Sequence, residues 1–309
     1  MNESKKGGIF LPALFCTLLW GSAFPTVKMG YELFGIGDDI ASKMFFAGWR
    51  FMLAGVVVLA VSAVMNKKIL LPQKTQWKGI LLLGLVQTTM QYVFFYIGLS
   101  NTTGVKGSVI TAMSTFVAVG LSHFIFADDR LTAPKAMGCL VGFIGVVMIS
   151  LSSVDALGGG FALTGEGFMM LSTVASGAGT VISKFVAKGQ SPMMITGWQL
   201  SIGGGVLLLM GIIGGGHFET MSFGAFALLG YLIFLSSAAF SVWTWLLKRH
   251  EVGKVAVYNF LVPVFGSLMS GILLHETVFT VRNMLALILV CSGIVLVNRT
   301  KSRATVKNC

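Results

Sequence analysis

Three long stretches of the chain contain no charged residue: Gly79 to Val105, Gly189 to Gly216 and Thr220 to Leu247, of 27, 28 and 28 residues. About 20 apolar residues in a helix cross the hydrocarbon core of a bilayer, so each stretch is long enough to span with some tilt. Reading outward from these three predicts spans near 10–31, 44–65, 79–99, 106–126, 137–153, 166–187, 192–213, 223–247, 255–274 and 282–298. The charge count points the same way. With 22 basic and 11 acidic residues among 309, the chain has too few charges to cover a soluble globule, in which about a quarter of residues are charged. The expected fold class is therefore an all-α polytopic membrane protein of ten transmembrane helices, with the lipid bilayer as its main solvent.

Lys5 and Lys6 ahead of an apolar run could also begin a secretory signal. The run from Gly7 to Val27 contains Trp20 and Pro25 and ends in no small-x-small cleavage site, so it is read as a retained span. Cys16, Cys139 and Cys291 fall inside spans and Cys309 is the last residue, a distribution with neither a disulfide framework nor metal-ligand spacing. No metal and no cofactor are expected. If the N-terminus is cytoplasmic, ten spans return the C-terminus to the same side, and 17 of the 22 basic residues then lie on the cytoplasmic face. Lys28, Lys43, Arg50, Lys106 and Arg282 are the remainder. This distribution accounts for the net charge of +11 without nucleic acid, because no loop holds a long basic run interleaved with aromatics. A bacterial inner or plasma membrane is the expected location.

The chain also repeats itself. Ala47-Gly48-Trp49-Arg50 and the later Gly55 align, at an offset of 149, with Thr196-Gly197-Trp198-Gln199 and Gly204. Gly21 through Lys28 aligns with Gly177 through Lys184 at 156, and Phe143-Ile144-Gly145-Val146 with Cys291-Ser292-Gly293-Ile294 at 148. Five spans per repeat is odd, so the second repeat must enter the membrane from the opposite side. Inverted repeats of this kind allow two related conformations, each open to one side around a midplane site. The expected organisation is a tail at 1–9, a first five-helix repeat at 10–153, a connecting loop at 154–165, a second repeat at 166–298 and a basic tail at 299–309.

Trp20-Gly21-Ser22-Ala23-Phe24, Lys28 at the end of the first span, Arg50 in the second, and Pro263 with His275-Glu276 around the ninth resemble the paired EamA-type repeats of the drug/metabolite transporter superfamily. The likeness covers roughly residues 10–298. It implies a ten-helix carrier with both ends cytoplasmic, often an exporter of amino acids or related metabolites. Spans one to four and six to nine would surround a central cavity, with the fifth and tenth outside it. The first repeat departs from the pattern, with Ser114 at the Pro263 position and Asp128-Asp129 where a single Glu is expected.

Candidate site residues follow from depth and helical spacing. Gln87 and Gln91 are four apart and share a face, with Thr88 beside them near mid-depth. An amide facing lipid is costly, so that face should line a cavity or bond a neighbouring helix. Trp20 lies far from the interfacial belts where tryptophan is usual, either lining the pathway or packed in the core. Asn259, beside Tyr258, is read as a cytoplasmic gate residue or as capping and packing. Ser172, Ser176, Gly179, Thr180 and Ser183 make one small face, read as a packing surface. Trp243 and Trp245 are read as interfacial anchors.

The acids avoid the midplane, lying in loops, tails or span ends. Coupling to an ion, if present, would involve Glu166, Glu276 or His123 peripherally, although a packed neutral imidazole is the preferred reading of His123. Arg50 sits one to two turns inside the second span and must be paired or solvated. It could attract a substrate carboxylate or phosphate. An anchor to loop acids such as Asp38 or Asp39, or to helix carbonyls, is the preferred reading.

An intramembrane enzyme would need a catalytic pair at depth, and no in-span Asp, Glu or Cys-His combination supplies one. A receptor or scaffold would more naturally carry an extramembrane domain, whereas the longest loops, such as 127–136 and 154–165, are short. The function expected is a secondary transporter moving a small-molecule substrate by alternating access. Export of amino acids or related amphipathic compounds leads by resemblance. Import or exchange of another class, such as nucleotide sugars, is the alternative, and a homodimer is left open.

Overall fold

The computed structural model describes residues 8–68, 70–102, 110–150, 162–274 and 281–299, and every regular element among them is a helix. In chain order these are α1 (Phe10–Phe34), α2 (Ile40–Asn66), α3 (Trp77–Ser100), α4 (Ile110–Ile125), α5 (Ala133–Ser150), α6 (Leu163–Ala187), α7 (Pro192–Ile213), α8 (Phe223–Arg249), α9 (252–274) and α10 (Val281–Arg299). Each of the ten predicted segments overlaps one of these helices, with 106–109 and 151–153 lying outside the described residues. Six of them, α1, α2, α3, α6, α7 and α8, are long and apolar enough to cross a membrane, and the other four contain shorter apolar runs. The protein is thus an all-helical, multi-pass membrane protein.

Capping residues set several helix starts. The Asp39 carboxylate accepts from the backbone N–H groups of Ala41 (3.2 Å) and Ser42 (2.7 Å), which starts α2 at Ile40, ahead of the predicted 44. Bonds from Ser42 hold the Asp39 carboxyl below its ordinary range. Ser191 and Ser222 cap α7 and α8 in the same way, with Pro192 in the first turn of α7, where its missing N–H costs nothing. Gly35 ends α1 in the left-handed region at φ 68°. Three helices are not regular: α3 widens to a π-helical segment over Gly84–Met90, α6 begins with one over Leu163–Gly167, and α9 tightens to a 3-10 turn at Val257–Phe260.

The most extensive helix pair is α2 with α7, and glycines set its closeness. A Cβ on Gly48 would meet the backbone of Leu208, and one on Gly197 would meet the Leu59 side chain. Gly55 lies against Ser201, and Gly204 against Met52. Shifting Gly48 and Gly55 by the 149-residue offset lands on Gly197 and Gly204, and shifting Leu59 and Met52 lands on Leu208 and Ser201. Each contact therefore has a counterpart with the roles of the two helices exchanged. The α5 and α10 pair behaves the same way at offset 148. Gly145 meets Ala286 and Val290, while Gly293 meets Gly138 and Gly142.

Side-chain bonds tie both ends of the bundle. At one, the His217 N–H donates to Ser42 Oγ, and Phe218 stacks 4.3 Å from Phe34. At the other, Lys135 Nζ bonds Asp129 (2.8 Å) and Glu251 (2.6 Å), joining the α4–α5 loop to the α8–α9 junction.

Candidate functional site

Polar and aromatic side chains converge where α1, α2, α3, α7 and α8 pass one another. The Arg50 Nε–H donates to Ser236 Oγ on α8 at 2.9 Å, and Thr88 Oγ1 donates to Gln199 Oε1 on α7 at 3.0 Å. One turn along, Thr89 Oγ1 donates to the Gly203 carbonyl and Ser237 Oγ to the Ala54 carbonyl, both at 3.0 Å. These bonds obey the same exchange as the glycines. Arg50 and Ala54 plus 149 are Gln199 and Gly203, and Thr88 and Thr89 plus 148 are Ser236 and Ser237. Two equivalent polar clamps therefore cross the middle of the bundle, one charged and one neutral.

An aromatic cluster adjoins the charged clamp. The Arg50 guanidinium lies 4.8 Å from the Phe51 ring centre, and Phe51 lies 4.4 Å from Tyr92. Tyr92 is 6.1 Å from Tyr96, which is 6.5 Å from Tyr31. On the opposite side, Trp20 packs edge-on against Phe240 (5.5 Å) and Trp243 (4.9 Å), and Phe240 returns to Phe51 at 6.3 Å. Trp20 Nε1 and Tyr31 Oη are buried without a hydrogen bond of good geometry, although the Tyr31 hydroxyl stands near Tyr96.

Of the predicted site residues, Trp20, Arg50, Gln87, Thr88 and Gln91 lie on these converging helices. Thr88 is fully buried in its clamp. Gln87 is buried against α6, where a Cβ on Gly179 would collide with it. Gln91 is half-buried, and its carbonyl accepts from Ser172. The π segment changes the simple helical spacing: a wider turn rotates Gln87 and Thr88 relative to Gln91, and such segments are frequent at functional sites. From the small face of α6, Ser172 donates to the Gln91 carbonyl at 2.9 Å and Gly179 packs against Gln87.

Two expectations are corrected. Arg50 is not held by Asp38 or Asp39, because Asp38 pairs with Lys43 at 3.6 Å and Asp39 is committed to capping α2. Among the described residues its hydrogen-bond partner is a hydroxyl, and no carboxylate pairs with it. Trp243 is not an interfacial anchor, being 2% exposed and packed on Trp20. Trp245 remains partly exposed, with Arg249 stacked 4.1 Å from its ring.

The remaining candidates lie away from the convergence. Asn259 is half-buried in the 3-10 turn of α9. His123 Nδ1 accepts from the Leu131 N–H at 3.0 Å, closing the loop after α4. Glu166, in the first turn of α6, is buried and accepts from Thr102 Oγ1 and the Ala162 N–H, each at 2.8 Å. Glu276 lies outside the described residues. Sequence reasoning missed Tyr31, Tyr92, Tyr96, Gln199 and Ser236. Gln199 was legible, because it aligns with Arg50 at the 149-residue offset. A groove of about 700 Å³ between α5 and α10, lined by Val141, Leu287, Ile288 and Val295 among others, is nearly all apolar and distant from the clamps.

The EamA-like transporter family is matched twice along the chain, at residues 7–151 and 163–299. A WAT1-related chloroplastic protein of Arabidopsis thaliana is 29% identical over 84% of the chain, which spans 62% of the plant protein's length. A probable amino-acid metabolite efflux pump of Salmonella typhimurium is 26% identical over 94% of each chain. One crystal structure shares the fold with a TM-score of 0.78 at 17% identity, covering 94% of this chain and 96% of that one.

Proposed function

Because the chain belongs to the EamA-like transporter family, we propose that it is a secondary transporter built from two inverted five-helix repeats, 10–153 and 166–298, working by alternating access. Its ten helices span a cell membrane with both termini cytoplasmic, and its most fitting cargo is an amino acid or related amphipathic compound moved outward. One observation carries this reading: the α2 and α7 contacts and the two polar clamps repeat with the roles of the halves exchanged. Two equivalent halves can exchange conformations, so that what one does on one face the other does on the opposite face. The two separate family matches support the same division. The Salmonella relative's name supports the cargo class.

Within this reading Trp20, Gln87, Thr88 and Gln91 line the pathway near mid-depth, and Asn259 stands toward its cytoplasmic end. Glu166, Glu276 and His123 are peripheral candidates for coupling. The test is a comparison of metabolites inside and outside cells with and without the gene, followed by transport of any compound that differs in proteoliposomes. Export of one or more amphipathic compounds is expected, and an unchanged metabolite profile in both compartments refutes the proposal. Transport driven by a pH gradient that survives replacement of Glu166, Glu276 and His123 together removes those three from coupling.

A further inference from the structure

The two clamps are equivalent in position and unequal in chemistry. Gln199 offers a neutral amide whose oxygen accepts from Thr88, whereas Arg50 brings a full positive charge to the same place in the other half. Arg50 is 3% exposed and its Nε–H is taken by Ser236, but among the described residues its two terminal amino groups have no partner. A guanidinium presents five N–H donors in a planar fork that matches a carboxylate. A buried cation without a counter-ion is costly, and proteins keep such groups where they function.

The surroundings are also rich in donors and poor in anions. The Trp20 indole N–H belongs to the adjoining cluster and is buried without a partner, while the Tyr31 hydroxyl stands near Tyr96. Lys43 Nζ lies 5.8 Å from the Tyr31 ring centre. Of the acids near these elements, Asp38 pairs with Lys43, Asp39 caps α2, and Glu32 on α1 is exposed. Beside the guanidinium, Phe51, Tyr92 and Phe240 form an apolar wall.

We infer that Arg50 receives the carboxylate of the transported molecule, in a bidentate pairing through its terminal amino groups, while the Phe51, Tyr92, Phe240 and Trp20 rings hold the molecule's apolar body. The inference rests on the transport reading and narrows its substrate to an organic anion or zwitterion with an apolar side. Ser236 is a positioning residue that fixes the guanidinium plane. The mirrored half, with Gln199, lacks the charge, so the carboxylate has one site and not two.

The test uses the full chain in lipid nanodiscs, reading tryptophan fluorescence and thermal stabilisation. The probes are L-phenylalanine, L-leucine and L-methionine with their carboxamides, together with indole-3-acetate, 3-phenylpropionate and the corresponding amides. At least one acid should bind while its amide does not, and Arg50→Gln should weaken that acid at least about tenfold, the size of one charge-assisted hydrogen bond. Arg50→Lys should keep part of the acid preference, and Ser236→Ala should keep the preference with weaker affinity. If Arg50→Gln does not yield monodisperse protein, the wild-type acid preference and its reduction in Arg50→Lys decide the question. Amides binding as well as acids, wild-type affinity in Arg50→Gln, or no response to any acid overturns the inference. Acids that bind only without an α-amino group uphold the carboxylate site and refute the amino-acid reading. Equal binding of amino acids and their amides does the reverse.

Discussion

Replacing Lys135 by Met tests the tie at the α4–α5 end of the bundle. Lys135 is 3% exposed and lies between Asp129, 1% exposed at 2.8 Å, and Glu251, 12% exposed at 2.6 Å. Asp129 also accepts from the Gly253 N–H at 3.2 Å, so one carboxylate joins the first half of the chain to the start of α9. Removing one partner of a buried ion pair costs about 3–5 kcal/mol, because the other charge is left buried and uncompensated. Lys254 still holds Glu251 at 2.7 Å, which places the expected loss near the lower end, about 3 kcal/mol. At about 2 °C per kcal/mol for a chain of this size, the unfolding midpoint in detergent should fall by about 6 °C. Asp129→Asn with Lys135→Met should recover part of that, since it removes the stranded charge. The pH dependence has a defined sign. Burial opposes ionisation of Glu251, but bonds from Lys135 and Lys254 outweigh it and hold the carboxyl below its ordinary value. Its stabilisation is present above the ordinary carboxylate range and is lost as pH falls through the depressed folded value, so Lys135→Met should flatten that acid limb. A midpoint within about 1 °C of wild type, or a double variant less stable than Lys135→Met alone, refutes the reasoning.

Gly55→Val and Gly204→Val occupy exchanged positions in the α2 and α7 contact, and each should cost about 1–3 kcal/mol of thermal stability by overpacking, while Gly205→Val, where an added Cβ meets nothing within 4 Å, should be far milder. Thr88→Val leaves the buried Gln199 amide oxygen without its donor and should cost about 1–3 kcal/mol, measured as loss of unfolding midpoint. Asp39→Ala should destabilise by about 1 kcal/mol at neutral pH, with the difference from wild type vanishing as acid protonates the cap. Cysteine at the exposed Gly37 should react with an impermeant maleimide in intact cells and cysteine at the exposed Gln73 only after permeabilisation; the opposite pattern reverses the proposed orientation.

Helix positions were legible because the preference of an apolar residue for lipid is paid locally, residue by residue. The charge-free run from Thr220 to Leu247 covers α8 from its start at Phe223, and the helix ends at Arg249, on the first basic residues after the run. Start points were less legible where a cap governed them, as Asp39 did for α2. The likeness of Gly48-Trp49 to Gly197-Trp198 was legible too, since the alignment lies in the chain itself, and the family is matched once in each half.

What those glycines do was decided elsewhere. That Gly55 rests on Ser201 and Gly204 on Met52 depends on the register between α2 and α7, which no local pattern specifies. Arg50 shows the limit most clearly. Depth alone said that a charge there must be paired or solvated, and the nearby acids in sequence, Asp38 and Asp39, were the natural partners. The fold gives it Ser236, 186 residues away, and spends both acids on other groups. Trp243 likewise belongs to the interior because α8 turns it onto Trp20 of α1. The sequence by itself determined that the chain lives in lipid, where its helices run and that its halves are related. Only the tertiary structure decided which polar groups meet at the centre, because partner choice there depends on packing between helices distant in the chain.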